Sequence, residues 1–151
     1  MKSVLKSKNR EVYAGFPVAL GHYSKPVALV YRRGRITKLD LRAAHQLEQA
    51  MILIENEGLQ CRRLSLTGAK TVMFESDQTQ HARLILSEHL ELWLKALFQR
   101  RIPAGAILDL VIERHSFYQV DKRFRKTNGW ARERLIEGLK LWTTLFFEGD
   151  H

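Results

Sequence analysis

Apolar residues recur at helical spacing through the middle of the chain, separated by polar and charged positions. A capping-box pattern at 37–40 predicts the start of one helix that ends before Gly58. Its apolar stripe consists of Leu39, Ala43, Leu47, Ala50, Met51 and Ile54. A second helix is predicted from Asp77 to about Arg101. Its stripe consists of Leu86, Leu90, Trp93, Leu94 and Leu97. Residues 59–75 between them lack this period and are expected to form a small hairpin or an irregular linker.

The N-terminal part of the chain has a weaker pattern. Pro26 predicts the start of a short helix over 27–33, and Gly34 is expected to end it. Residues 1–24 show little periodicity, so we expect them to form an extended basic arm.

The last third of the chain predicts three helices in succession. The first follows Pro103, and its apolar residues are Ile107, Leu108, Val111 and Ile112. Ser116 is expected to cap a second helix of about two turns, whose stripe is Phe117, Val120 and Phe124. Asn128 and Gly129 tolerate positive φ and predict a sharp turn. A third helix then begins at Trp130, with the stripe Leu135, Ile136, Leu139 and Trp142.

A short helix, a turn containing glycine and a longer helix that begins with arginines are typical of a helix-turn-helix that reads DNA. The stripes of the two helices are expected to pack together, leaving Arg132, Arg134 and Lys140 toward solvent or a DNA groove. The alternative is three ordinary packed helices with a solvated basic face, because helix-turn-helix geometry also occurs in purely structural hairpins.

The distribution of charge favours a polyanionic partner. The chain has 25 Lys and Arg against 16 Asp and Glu, a net charge of +9. Residues 1–36 hold 8 basic and 1 acidic side chains, whereas residues 37–115 hold 10 of each. Within 121–134, six basic side chains stand against Asp121 and Glu133. Such clusters suit DNA phosphates, since each contact releases counterions; for the first ten residues a solubilising tail is the alternative.

Several classes of protein are disfavoured by the same sequence. No apolar run is long enough to span a bilayer, and the N-terminus has no apolar signal-peptide segment. Cys61 is alone, which fits a reducing compartment, so a cytoplasmic location is expected. His81 and His89 are two turns apart, too far for the usual metal pair, and no catalytic motif surrounds Cys61. We therefore expect no enzyme activity, no metal and no cofactor.

The order of features resembles a known family. The segments that carry the likeness are 26–36, which reads Pro-Val-Ala-Leu-Val-Tyr-Arg-Arg-Gly-Arg-Ile, 116–120 (Ser-Phe-Tyr-Gln-Val) and 129–132 (Gly-Trp-Ala-Arg). Over residues 25–147 the chain resembles small bacterial and prophage-encoded proteins that end in a helix-turn-helix similar to the sigma-factor region that reads the −35 element. More distantly it is similar to transcription activators of gene transfer agents and to phage late-gene regulators, including antiterminators. It departs at Ala131, where the family often has proline, and in a longer turn at 126–128.

Together these features predict a mostly α protein with a basic arm over 1–24, a helical subdomain over 25–101 and a C-terminal trihelical helix-turn-helix over 102–151. We expect a sequence-specific regulator that binds double-stranded DNA and acts with RNA polymerase holoenzyme as an activator or antiterminator of phage-like genes. The expected DNA-binding residues are Arg123, Arg125, Lys126, Asn128, Arg132, Arg134 and Lys140. Arg132 and Arg134 would contact guanine edges or phosphates, and the unit would be positioned on the DNA backbone by Arg123, Arg125, Lys126 and Asn128.

The alternative from another class is a helical module that docks on RNA polymerase or a sigma factor without reading DNA. Leu141, Phe146 and Phe147 exceed what a small trihelical core needs, so a protein-docking module is expected to expose them.

Overall fold

The computed structural model describes residues 19–67 and 77–147. The regular elements in these two ranges are all helical, as the mostly α prediction requires. A short 3₁₀ helix, Leu20–His22, comes first. The six α helices are α1 (Lys25–Arg32), α2 (Lys38–Thr67), α3 (Asp77–Gln99), α4 (Ala104–Val111), α5 (Phe117–Arg123) and α6 (Trp130–Phe146).

Helix α1 begins and ends close to the residues that the sequence indicates, and helix α2 begins where the sequence indicates. The Ser24 hydroxyl accepts a hydrogen bond from the Val27 N–H, and Pro26 lies in the first turn of α1, where its missing N–H costs nothing. Gly34 follows α1 with a φ of 74°. At α2, the Asp40 carboxylate accepts from the Thr37 N–H at 2.8 Å, and the Thr37 hydroxyl accepts from the Asp40 N–H. The predicted capping box is therefore confirmed.

Two sequence predictions need correction in the N-terminal half. The helix predicted to end before Gly58 continues to Thr67, so residues 59–67 are helical and form neither a hairpin nor a linker; residues 68–75 lie outside the described ranges. A glycine inside a helix costs about 1 kcal/mol, too little to end a long helix whose neighbouring backbone bonds are kept. Residues 19–24 also do not form an extended arm, because they include the 3₁₀ helix and bury Tyr23 and Ser24. The rest of the predicted arm, 1–18, is outside the described ranges.

Helix α6 is the element on which the others pack. It contacts α1, α2, α3, α4 and α5. Its stripe residues Leu135, Leu139 and Trp142 are almost fully buried, as the helical spacing predicts. They belong to one hydrophobic cluster that also takes residues from each of the other five α helices. The predicted division of the chain near residue 101 stays a prediction, and this cluster crosses that position.

Polar contacts fix the position of α6 against α2 and α3. The Trp93 indole N–H donates to the Gly138 carbonyl at 2.9 Å, inside the core. The Thr143 hydroxyl donates to the Asp40 carboxylate at 2.6 Å, and the Trp142 indole N–H donates to the Gln46 amide oxygen at 3.1 Å. Because buried polar groups are costly without partners, these bonds specify one register of α6 in the bundle.

The C-terminal aromatic residues have packing partners. Leu141 is buried, and Phe146 and Phe147 are partly buried against the cluster. The His89 ring stacks on Phe146 with centroids 3.9 Å apart, and burial lowers the pKa of His89, which favours the neutral ring. The Arg42 guanidinium lies 4.9 Å from the Phe147 ring centroid. The exposure that a protein-docking module was expected to give these three residues is therefore not observed.

We predict that Gly138→Ala destabilises the fold. A Cβ atom at this position would overlap the Cδ1 atom of Ile107, whose side chain is fully buried and has little room to move. Overpacking of this kind typically costs about 1–3 kcal/mol. Urea denaturation would measure the change. Gly105→Ala is the matched control, since a Cβ there meets Phe124 at an ordinary 3.7 Å; an equal loss in both variants would contradict the close approach of α4 and α6.

Candidate nucleic-acid interface

Helix α5 begins with a complete capping box. The Ser116 hydroxyl accepts from the Gln119 N–H at 3.2 Å, and the Gln119 amide oxygen accepts from the Ser116 N–H at 2.9 Å. Ser116 is thus the N-cap that the sequence predicts. Gln119 is exposed but has a structural role, because its side chain satisfies an N–H at the helix start.

The turn between α5 and α6 uses positive φ at different residues from those expected. Gly129 has a φ of 95°, as predicted, but Asn128 is not in the left-handed region. Arg125 is, with a φ of 56°. The Arg125 and Lys126 N–H groups donate to the carbonyls of Lys122 and Asp121. Arg125 therefore ends α5, because bonds from the residues after the C-cap require the left-handed conformation at that position.

The start of α6 is capped from a neighbouring helix. Gly129 is the N-cap and has no side chain to accept a hydrogen bond. Instead the buried Asp121 carboxylate of α5 accepts from the Gly129 N–H at 3.1 Å and from the Ala131 N–H at 2.7 Å. An anion at a helix N-terminus is favoured by both the free N–H groups and the helix dipole. Asp121 thus fixes where α6 begins and how it meets α5, a role that its place in the sequence did not reveal.

Four of the seven predicted DNA-binding residues are exposed and have no ion pair with any residue that the structure describes. They are Arg125, Lys126, Asn128 and Lys140. Lys126 lies beside Trp130, with its ammonium 5.6 Å from the ring centroid. Lys140 is separate from this group, since ten residues of helix place it about 15 Å from Trp130 along α6.

The other three predicted residues already have protein partners. Arg123 donates to the Asp109 carboxylate of α4 at 2.9 Å, although most of its side chain is exposed. Arg134 donates to Glu137 at 2.6 Å, and its guanidinium lies 5.9 Å from the Trp130 ring centroid. Arg132 is half-buried, with a guanidinium nitrogen beside Gly129. The structure therefore gathers Lys126, Arg132 and Arg134 around the start of α6.

A long-range ion pair engages the acidic residue in this cluster. Arg35, in the turn between α1 and α2, donates to both carboxylate oxygens of Glu133, at 3.0 and 2.9 Å. Arg132 also approaches Glu133, at 3.8 Å. Because these side chains are solvent-accessible, the pair adds little to stability, but it brings a further cation to the start of α6. Arg35 was counted in the basic excess of residues 1–36, and the structure places it beside the start of α6.

Comparison with known proteins finds no matching family model, no matching curated protein and no matching solved structure. The family resemblance therefore rests on the residues quoted for it. Among the described helices, none is both long and apolar enough to cross a membrane.

We predict that Asp121→Asn lowers the free energy of unfolding by about 1–3 kcal/mol, since the amide cannot accept from both N–H groups with the strength of a carboxylate. Thermal denaturation would measure the loss. Glu113→Gln, which makes the same change in charge at an exposed residue, is the control and should have almost no effect. If the two variants had the same melting temperature, Asp121 would not be stabilising the start of α6.

Proposed function

We propose that this protein is a sequence-specific DNA-binding regulator of transcription that acts with RNA polymerase, as an activator or antiterminator of phage-like genes such as those of gene transfer agents. The observation that carries the proposal is the group of cations at the start of α6, on a helix whose first turn is fixed by Asp121. The net charge of +9 supports a polyanionic partner. The resemblance to proteins with a sigma-like helix-turn-helix supports transcription.

In this proposal, residues of the α5–α6 turn contact DNA phosphates and residues of α6 contact bases. Arg125, Lys126 and Asn128 are exposed on the turn and suit the phosphate backbone, which positions a protein without reading sequence. Arg132 lies in the first turn of α6, where a recognition helix contacts bases, and a guanidinium can bind guanine O6 and N7 together. Arg134 can contact DNA only if it breaks its ion pair with Glu137 or shares that pair with a phosphate or base. Breaking the pair costs little free energy, because it is solvent-accessible.

One common mode of phosphate binding is disfavoured. A helix N-terminus often binds phosphate through its free N–H groups, but the Asp121 carboxylate already accepts two of those at α6. A second anion beside this carboxylate would be repelled. Side chains, rather than backbone N–H groups, must therefore carry the attraction to DNA, and their removal should weaken binding measurably.

RNA polymerase is proposed as the partner because a single unit of this size covers one half-site and gains modest specificity alone. Cooperative binding at a promoter would supply the remainder. Such coupling is typically about 1–3 kcal/mol and is reciprocal, so the protein would also tighten polymerase on that promoter. DNA footprinting with each component alone and with both together would test the coupling.

A second candidate function is protein docking without DNA reading, and one observation favours it. Helix α3 exposes large apolar side chains, namely Leu84, Ile85, Leu92, Leu94 and Phe98. Phe98, 83% exposed, borders a groove of about 870 Å³ between the end of α3 and the α5–α6 turn. Phe124 and Trp130 line this groove, with Lys126 and Arg134 among its cations. An apolar groove bordered by cations fits an acidic amphipathic segment.

Two assays distinguish the candidates: capture of RNA polymerase from nuclease-treated extract, and footprinting on DNA. Protein docking requires that Phe98→Ser abolish capture and that Arg132→Ala leave it unchanged. The DNA-reading proposal requires that Arg132→Ala abolish footprints on DNA.

We predict that Arg125→Ala weakens binding to mixed-sequence duplex DNA and lowers the slope of log affinity against log salt concentration by roughly 0.9, the value for one lost phosphate contact. Fluorescence anisotropy over a salt series would measure the slope. Lys95→Ala removes the same charge from an exposed position on α3 and is the control. Identical slopes for wild type and Arg125→Ala would remove Arg125 from the interface.

A further inference from the structure

Two histidines and a glutamate meet where the 3₁₀ helix lies against α2. His45 and Glu48 are three residues apart on α2 and so share a face, and His22 faces them from the end of the 3₁₀ helix. One ligand atom from each of the three side chains lies within 4.8 Å of the other two. The His22 Nε2 atom is 3.5 Å from the Glu48 Oε2 atom. Within the described ranges, these are the His, Cys, Asp or Glu side chains whose possible ligand atoms lie close enough together to bind one metal ion.

The backbone around the three side chains is held by other contacts. The Arg114 guanidinium, from the loop after α4, donates to the His22 carbonyl at 2.8 Å. Tyr23 is buried, which anchors the chain directly after His22. The His22 and His45 rings meet edge to face with centroids 5.7 Å apart. The three side chains therefore come from elements that packing already positions, so closing them around an ion needs side-chain rotation and little backbone movement.

The separation of His22 and Glu48 suits a small tetrahedral ion. Zinc bonds of 2.0–2.2 Å to imidazole nitrogen and carboxylate oxygen put two ligand atoms of a tetrahedron about 3.3 Å apart. The His22–Glu48 separation of 3.5 Å is close to that value. Two imidazoles with one carboxylate also match the donor sets that bind zinc in proteins with a fourth position left open.

A simple ion pair between His22 and Glu48 leaves part of the site unexplained. It engages the Glu48 Oε2 atom only. The other carboxylate oxygen, Oε1, is buried and has no hydrogen-bond partner among the residues that the structure describes. Buried acceptors are nearly always satisfied, so this atom indicates a missing partner. A cation bound by the carboxylate supplies one.

We propose that His22, His45 and Glu48 bind a zinc ion, with water at the fourth position. His22 is 45% exposed, which leaves a path for the ion and for that water. The ion joins the 3₁₀ helix to α2 and, through the Arg114 contact, to the loop after α4. The site shares no residue with the basic group around α6, so its test does not depend on the proposed DNA binding.

The test is calorimetric titration of zinc chloride into protein that carries no histidine tag and has been stripped with EDTA. We expect one ion per chain and a higher melting temperature with zinc than with EDTA, since a ligand that binds only the folded state stabilises it. His45→Ala and Glu48→Gln should each weaken binding at least about tenfold. His81→Ala, an exposed histidine on α3, is the control and should bind as wild type does.

Absence of saturable binding, or equal binding by wild type, His45→Ala and Glu48→Gln, would overturn the proposal. Circular dichroism in EDTA checks that each variant folds. If a variant does not fold, the cobalt(II) spectrum of the wild type decides. Intense visible bands of a four-coordinate ion support the site, and the pale spectrum of the hydrated ion rejects it.

Discussion

The buried carboxylate of Asp121 determines how the C-terminal helices meet. Gly129 lets the chain turn sharply into α6 but cannot cap it, so two N–H groups would be left without a partner at a buried helix start. Asp121 satisfies both, and it does so from α5. The angle and register between α5 and α6 follow from that contact. Every cation proposed to touch DNA in the first turns of α6 is positioned through it.

Helix α6 serves the core and the surface with different stretches of its length. From Leu135 onward one face of it is buried against the other helices, and the close approach of Ile107 at Gly138 leaves no room for a side chain there. Its first two turns instead present Arg132 and Arg134 beside the α5–α6 turn. Because the buried part fixes the helix along its axis, the basic part is presented on a rigid element. Rigid presentation is what reading base edges requires.

Helical spacing was enough to predict most of the fold. Most residues of the stripes around Leu47, Trp93 and Leu139 are buried as expected, because burial of one helical face leaves a period that a sequence displays directly. Ile54 and Leu94 are the exceptions, since both are exposed. Contacts between distant residues leave no such period. Asp121 resembles any surface acid in the sequence, and the Arg35–Glu133 pair joins residues 98 positions apart. Arg125 took the left-handed conformation expected of Asn128 because the hydrogen bonds that end α5 fall on its position.

The candidate sites differ in how far the sequence reveals them. The basic residues near α6 are conspicuous as a run, but their partners, such as Asp109 for Arg123, depend on tertiary packing. At the proposed zinc site, His45 and Glu48 are three residues apart in the sequence and so share a helical face, whereas His22 joins them only through the fold.

The central claim is that this protein reads DNA sequence with the start of α6. Selection of binding sites by the full chain from a random duplex library, followed by sequencing, tests it most directly. The account predicts one enriched motif that the Arg132→Ala variant does not enrich at the same base positions. A bound pool with the base composition of the starting library would contradict it.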